Sequence, residues 1–232
     1  MSGASVKIET FRVGPLGCNC SIVFDPETQR AIVVDPGGDL DVIRAHLVRL
    51  GVGVDAIVHT HTHIDHVGAT RGLQDASGAP AQIHESDRFL YNLLPIQSAM
   101  LGCEMPELAE IEGTLKDGGT VSAGQLRLSV LHTPGHTPGS VSFFLKEAAP
   151  TSPIGGPDDA TPAARSYVLT GDTLFRRGIG RTDLWGGDSR QILKSLEGTL
   201  LRLPDDAVVI PGHGPNTTIG EERASNPFLS RR

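Results

Sequence analysis

Apolar and polar residues alternate from Val6 to Val13, the period-two pattern of a strand with one buried face. The runs 21–25 and 31–35 predict two further strands. Asp25-Pro26-Glu27-Thr28-Gln29 between them has turn chemistry. Asp35-Pro36-Gly37-Gly38 stops the third strand, and Asp39 is placed to cap a helix whose apolar face holds Val42, Ile43, Leu47 and Leu50. Ala56-Ile57-Val58 predicts a short buried strand. A helix is then expected from about His66 toward Asp75, a strand over 81–84, and a helical stretch over 85–101 broken at Pro95. Further strands are expected at 126–131, 141–145, 167–170 and 207–210, with a helix over 189–201. Strands grouped early and late, with helices between, predict an α+β arrangement of two sheets with helices outside.

Composition narrows this picture. The 232 residues fit one large domain or two small ones, and a 38% hydrophobic share supplies a substantial core. With 28 glycines and 16 prolines, many turns are expected. Pro, Gly, Ala and Asp dominate 147–165, which predicts a mobile insertion between two strands and not a domain boundary. The net charge of −7 and the lack of a basic run argue against nucleic acid as a partner. The first seven residues lack a signal-peptide core, and no stretch of about 18 apolar residues exists. Cytoplasmic residence without membrane attachment is therefore the expectation. Cys18, Cys20 and Cys103 make an odd count that describes no disulfide framework. One residue between Cys18 and Cys20 is also tighter than structural zinc spacing.

The chemistry concentrates in His61-Thr62-His63-Ile64-Asp65-His66, where three imidazoles and a carboxylate fall within six residues. Imidazole and carboxylate suit transition metals, and a set without thiolate favours an open, catalytic site over a closed structural one. Strand alternation carried past Val58 would aim His61 and His63 the same way and leave Asp65 and His66 free to face a second metal. Three more candidates follow strands: His136 in Thr133-Pro134-Gly135-His136, Asp172 in Thr170-Gly171-Asp172-Thr173, and His213 in Ile210-Pro211-Gly212-His213. Each has an adjacent glycine that lets backbone approach closely. Singly each is weak, and their joint arrangement is what counts.

Thr60-His61-Thr62-His63-Ile64-Asp65-His66 resembles the signature of the metallo-β-lactamase superfamily. His136, Asp172 and His213 match its remaining ligand motifs in order, and Asp35-Pro36-Gly37 resembles its early Asp-x-Gly turn. The resemblance spans about residues 8–228. It implies one αββα four-layer sandwich domain over 1–232 that binds two divalent metal ions, zinc foremost, with iron or manganese as alternatives. By that likeness one metal takes His61, His63 and His136, the other takes Asp65, His66 and His213, and Asp172 bridges both. Asp65 and Asp172 are then the catalytic carboxylates.

Gly171-Asp172-Thr173-Leu174-Phe175-Arg176-Arg177-Gly178-Ile179-Gly180-Arg181-Thr182-Asp183 is similar to glyoxalase II (hydroxyacylglutathione hydrolase) and its short bacterial relatives. So are Pro211-Gly212-His213-Gly214-Pro215, Gly220-Glu221-Glu222-Arg223 and Asn226-Pro227-Phe228. That likeness implies thioester hydrolysis, with S-lactoylglutathione as substrate, through attack of a metal-bridging hydroxide. The chain departs from longer members. It ends before their C-terminal helical domain, and it has Arg181 and Asp183 where they tend to have Lys and Tyr. Arg181 is the expected contact to a glutathione carboxylate, since guanidinium can grip it bidentately; a structural pair with Asp183 is the alternative. Persulfide dioxygenases share a similar Gly-x-Gly-Arg-Thr-Asp segment and would use one iron on His61, His136 and Asp172. A lactonase or another thioesterase is a further alternative. A monomer or a homodimer is expected.

Overall fold

A computed structural model describes residues 6–150 and 165–229. The first half contains β1 (Val6–Val13), β2 (Cys18–Asp25), β3 (Arg30–Val34), α1 (Leu40–Leu50), β4 (Gly53–Val58), α2 (Ile64–Val67), α3 (Thr70–Ser77), β5 (Ala81–His84), α4 (Arg88–Asn92), α5 (Leu94–Leu101) and β6 (Ile111–Leu115). The second contains β7 (Thr120–Ala123), β8 (Leu126–His132), β9 (Val141–Pro150), β10 (Arg165–Gly171), β11 (Leu174–Phe175), β12 (Gly178–Ile179), α6 (Ser189–Gly198), β13 (Val208–Pro211), β14 (Thr217–Thr218) and α7 (Ile219–Ser225). The insertion expected over 147–165 falls largely on residues 151–164, which lie outside the described residues. Its two ends are strand, because β9 runs to Pro150 and β10 starts at Arg165.

β1, β2 and β3 pair antiparallel, and β3, β4, β5 and β6 pair parallel. On the other side β7, β8, β9 and β10 are antiparallel neighbours and β13 joins β10 in parallel. The two sheets expected from sequence are hydrogen-bonded into one 12-stranded network, because β1 pairs parallel with the end of β9 from Val6 opposite Ala148. The halves still pack face to face. Ile8, Val23, Val34 and Val58 of one half meet Val130, Phe143, Tyr167 and Ile210 of the other in one buried cluster. Outside the first half, Ile43 and Leu47 of α1 and Leu73 of α3 cover Ile22, Val33 and Ile57. Outside the second, Ile192 and Leu196 of α6 cover Val168 and Val209. The layer order is therefore helix, sheet, sheet, helix. β2 is buried at all eight positions since both its faces are covered, which is why a simple alternation does not mark its start at Cys18.

Three local expectations need correction. Asp39 precedes α1 but does not cap it: its φ is 49°, and its carboxylate accepts the Gly14 N–H at 2.8 Å instead. The helix expected from His66 toward Asp75 is two pieces, α2 and α3, because Ala69 N–H donates to the Pro36 carbonyl at 2.8 Å. The stretch 85–101 breaks at Leu93, and Pro95 lies in the first turn of α5, where its missing N–H costs nothing.

The parallel strands, with β8, β10 and β13, bring their C-terminal ends to one edge of the sandwich. The loops leaving those ends carry Asp35, 59–66, His136, Asp172 and His213. No helix among the described residues is long and apolar enough to cross a membrane.

Phe143 is fully buried between the two sheet faces. Phe143→Ala is expected to cost about 3–5 kcal/mol through lost burial and the cavity left behind. Equilibrium urea unfolding checks this, and a loss under about 1 kcal/mol would contradict face-to-face packing at that point.

Candidate metal centre

β4 delivers its chain directly into the histidine run. His61, His63 and His136 are buried, and one nitrogen from each lies within 4.8 Å of the others. His63 Nδ1 is 3.0 Å from His61 Nε2 and 2.9 Å from His136 Nε2. A second group is Asp65, His66 and His213, with His213 Nε2 3.0 Å from Asp65 Oδ2 and His66 Nε2 3.8 Å from the same oxygen. Asp172 lies between them. Its Oδ2 is 3.7 Å from His136 Nε2, while its Oδ1 is 3.5 Å from His66 Nε2 and 3.9 Å from His213 Nε2. All seven residues read from sequence as ligands thus converge, from four separate loops.

The tautomers follow from the partners behind the rings. Arg181 carbonyl accepts from His136 Nδ1 at 2.8 Å, and Asp35 Oδ2 accepts from His66 Nδ1 at 3.0 Å. Thr60 Oγ1 gives its proton to Asp35 Oδ2 at 2.7 Å, so it can only accept from His61 Nδ1 at 3.1 Å. Three Nδ1 atoms are therefore protonated, and three Nε2 lone pairs are turned into the site. Around His63 Nδ1, two of those lone pairs converge with at most one proton to share. His66 Nε2 and Asp172 Oδ1 are buried without any hydrogen-bond partner. Convergent, unpartnered lone pairs and carboxylates in a buried place fit divalent cations.

Protonation behaves accordingly. Burial, reinforced by the neighbouring imidazoles, holds His61 well below the ordinary histidine value and pushes His63 down to about 3. Burial also lowers His136. These three are neutral at pH 7, the ligating form. In the second group burial opposes charge, but His66 and His213 outweigh it and keep Asp65 well below the usual carboxylate range. His213 rises chiefly through its hydrogen bond to Asp65, against burial. At His66 burial lowers the value, and Cys18, Asp35 and Asp65 together raise it.

Several buried polar groups hold the loops in place and were not singled out in the sequence. Asp87 accepts from Gly139 N–H at 2.6 Å, Thr137 Oγ1 at 2.9 Å and Thr62 N–H at 3.1 Å, tying the His61–His63 loop to the His136 loop. Burial lifts its carboxyl to about 6 despite these bonds. Gln97 accepts from Ile64 N–H at 2.9 Å and donates to Thr62 carbonyl at 3.2 Å. Asn19 donates to the carbonyls of Pro211 at 2.8 Å and Gly214 at 3.0 Å, fixing the His213 loop. None belongs to a motif, so only burial reveals them. Gly212 does have a readable signal: a β-carbon there would collide with Asp172 Oδ1 and His66. Arg181 is exposed, and its guanidinium is held bidentately by Asp183 at 2.7 and 2.8 Å. What it gives the site is its backbone carbonyl under His136.

A model of the metallo-beta-lactamase superfamily matches residues 13–148. The chain belongs to that superfamily. It is 34% identical over 234 residues to the hydroxyacylglutathione hydrolase GloC of Haemophilus influenzae, covering 98% of this chain and all of that one. It is 28% identical to the human mitochondrial persulfide dioxygenase ETHE1, covering 99% of this chain and 78% of that protein. Among solved structures, the BLEG-1 B3 metallo-beta-lactamase superposes with a TM-score of 0.82 at 33% identity, covering 96% of this chain and 99% of that one. The di-iron-bound form of TTHA1623 gives 0.77 at 34% identity, covering 95% and 100%. The helix–sheet–sheet–helix order described above is thus the metallo-β-lactamase fold, and in a chain of that superfamily the His/Asp clusters suggest divalent metal binding.

Asp35 supports two of the seven residues at once, so its charge can be tested apart from its backbone. Its φ of 51° is one that Asn tolerates, so Asp35→Asn should keep the turn. The amide would face His66 Nδ1 with a donor, favouring the tautomer whose Nε2 is protonated. Metal affinity should fall about 10–100-fold. Competition with a chromophoric chelator measures this, and unchanged affinity would show that Asp35 does not set the His66 tautomer.

Proposed function

We propose that this chain is a two-metal hydrolase that cleaves a thioester, with S-lactoylglutathione or a related acyl-glutathione as substrate. One metal would be held by His61, His63 and His136, the other by Asp65, His66 and His213, with Asp172 shared. The observation that carries the two-metal part is Asp172, whose two oxygens face different ligand groups. The thioester part is supported by GloC, whose likeness runs the whole length of both chains.

Divalent metals bound there supply Lewis-acid activation of water and stabilise the negative charge that develops on the carbonyl oxygen. The residues of the chain do the rest. Asp35, Thr60 and the Arg181 carbonyl fix three imidazoles in the tautomer that offers Nε2. Asp87 and Gln97 brace the loops that carry His61, His63 and His136. Asp65, kept ionised, accepts a hydrogen bond and can orient the attacking water. The products are a carboxylic acid and a thiol, so no oxidant is consumed.

Similarity to the persulfide dioxygenase supports a second reading, in which one iron sits on His61, His136 and Asp172. The completeness of the Asp65, His66 and His213 group favours the first, because a single iron on the other residues would leave those three without a task.

Zinc, iron or manganese reconstitution followed by anaerobic assay separates the two. The expected result is hydrolysis of S-lactoylglutathione without oxygen, more rapid than that of lactones or β-lactams, at about two metals per chain. Asp172→Ala is expected to lower the rate at least about 100-fold and to weaken both metal positions. Oxygen consumption with glutathione persulfide at one iron per chain would support the dioxygenase instead. Unchanged metal content in Asp172→Ala would overturn the shared position.

A further inference from the structure

The chain has a single tryptophan, and it stands at the site. The Trp185 ring centroid is 6.0 Å from that of His63, with the planes inclined at 57°. Trp185 is half-buried and belongs to none of the hydrophobic clusters among the described residues. Core packing therefore does not explain where it is.

Its backbone is held firmly. Gly187 N–H donates to Leu184 carbonyl at 2.7 Å, closing a turn with Trp185 at its second position. Gly186 takes a φ of 81°, which that turn needs, and a β-carbon there would meet Pro138 Cγ at 2.7 Å and Phe89 Cζ at 3.3 Å. Asp188 N–H then donates to Gly135 carbonyl at 2.8 Å, next to His136, and the Asp188 carboxylate caps α6 through Arg190 and Gln191 N–H. The upstream end is fixed by the Arg181 carbonyl under His136. Both ends of the loop are thus bonded to the segment that carries a metal-binding histidine, and the indole is presented at a set place beside His63. Phe89, 43% exposed, adjoins the same turn.

We infer that Trp185 forms an apolar wall for the acyl group, and that this makes it a specificity-determining residue favouring longer apolar acyl chains over acetyl. The inference rests on the thioesterase reading for its substrate class. A carbonyl carbon attacked beside His63 would stand near that indole, whose ring centroid is 6.0 Å from that of His63. A flat aromatic face with little conformational freedom is suited to hydrocarbon there. Of the loop's charged groups, Arg181 and Asp183 are exposed and satisfied by each other and Asp188 caps α6, so they do not offset this apolar character.

The test uses the metal-loaded chain and does not depend on hydrolysis. Acetate, hexanoate and phenylacetate are titrated, following tryptophan emission in the parent and heat of binding in the parent, Trp185→Phe and Trp185→Ala. Expected are a saturable change of emission with hexanoate and phenylacetate and binding of both about ten-fold tighter than acetate. Trp185→Ala should lose that ten-fold while binding acetate within two-fold, and Trp185→Phe should keep most of it. Metal content and unfolding temperature establish that the variants are intact. In parallel, the ratio of kcat/KM for hexanoyl- over acetyl-glutathione should fall about ten-fold in Trp185→Ala. Hexanoate no tighter than acetate in the parent, or equal losses for both in Trp185→Ala, would overturn the inference. Absence of any thioester hydrolysis by the parent would instead sink the thioesterase reading, and the carboxylate titration would still decide the role of Trp185.

Discussion

Asp35 is a buried carboxylate at the end of β3 with its backbone in the left-handed region. One oxygen accepts the Thr60 N–H at 2.7 Å; the other accepts the Thr60 hydroxyl at 2.7 Å and His66 Nδ1 at 3.0 Å. Through Thr60 it fixes His61, and directly it fixes His66, so one side chain sets the tautomers of histidines in both ligand groups. A buried charge costs several kcal/mol unless it is matched. The backbone conformation costs a further 1–3 kcal/mol or so. These costs are borne where β3 and β4 run parallel and hydrogen-bonded, which puts Asp35 and Thr60 side by side. The sandwich is the frame that makes such an arrangement tolerable, and the metal site is what it holds.

Charge balance shows why the site suits a cation. Asp35, Asp65 and Asp172 meet in a small, largely buried volume. With only protons to offset them, His66 and His213 are drawn toward the charged state while His61, His63 and His136 stay neutral. The neutral trio supplies lone pairs without charge, and the mixed group supplies charge with fewer lone pairs. Two donor groups of different character result, one of three imidazoles and one carrying a carboxylate, with Asp172 lying between them.

Much of this was legible because the ligands follow rules of local sequence. A metal site laid out on a turn after a strand compresses four donors into six residues, and glycines flank the remaining donors where backbone must pass close. Gly212 beside Asp172 and His66 is such a case. The supporting groups escaped for a physical reason. Asp87, Gln97 and Asn19 hold the site loops through backbone atoms of residues 25 to 195 positions away, and a polar residue bonded to distant backbone looks like any surface polar residue in one dimension. Asp39 shows the converse error. It has the residue type and position of a cap, yet a distant partner, Gly14, takes its carboxylate. Strands β6, β7, β11, β12 and β14 are short or weakly apolar and gain their order from neighbours, so periodicity does not reveal them.

At Arg181, in the loop from Gly180 to Asp188, side chain and backbone have different partners. Arg181 carries the charge that a glutathione carboxylate would want, and reading by residue type makes it the substrate contact. In the structure that charge is turned outward and closed by Asp183, while its carbonyl does the work of orienting His136. Trp185, four residues on, has no motif to recommend it, and yet its ring centroid lies 6.0 Å from that of His63. The two facts are linked. Bonding Arg181 carbonyl to His136 and Asp188 N–H to Gly135 pins the loop at both ends, and the turn closed by Leu184 and Gly187 then projects position 185 inward. Replacing the side chain at 185 would leave these backbone bonds in place, whereas disturbing the backbone at 181 would loosen His136 itself. In this loop the groups bonded to the His136 segment are backbone groups, and the proposed acyl selectivity would rest on a side chain, that of Trp185.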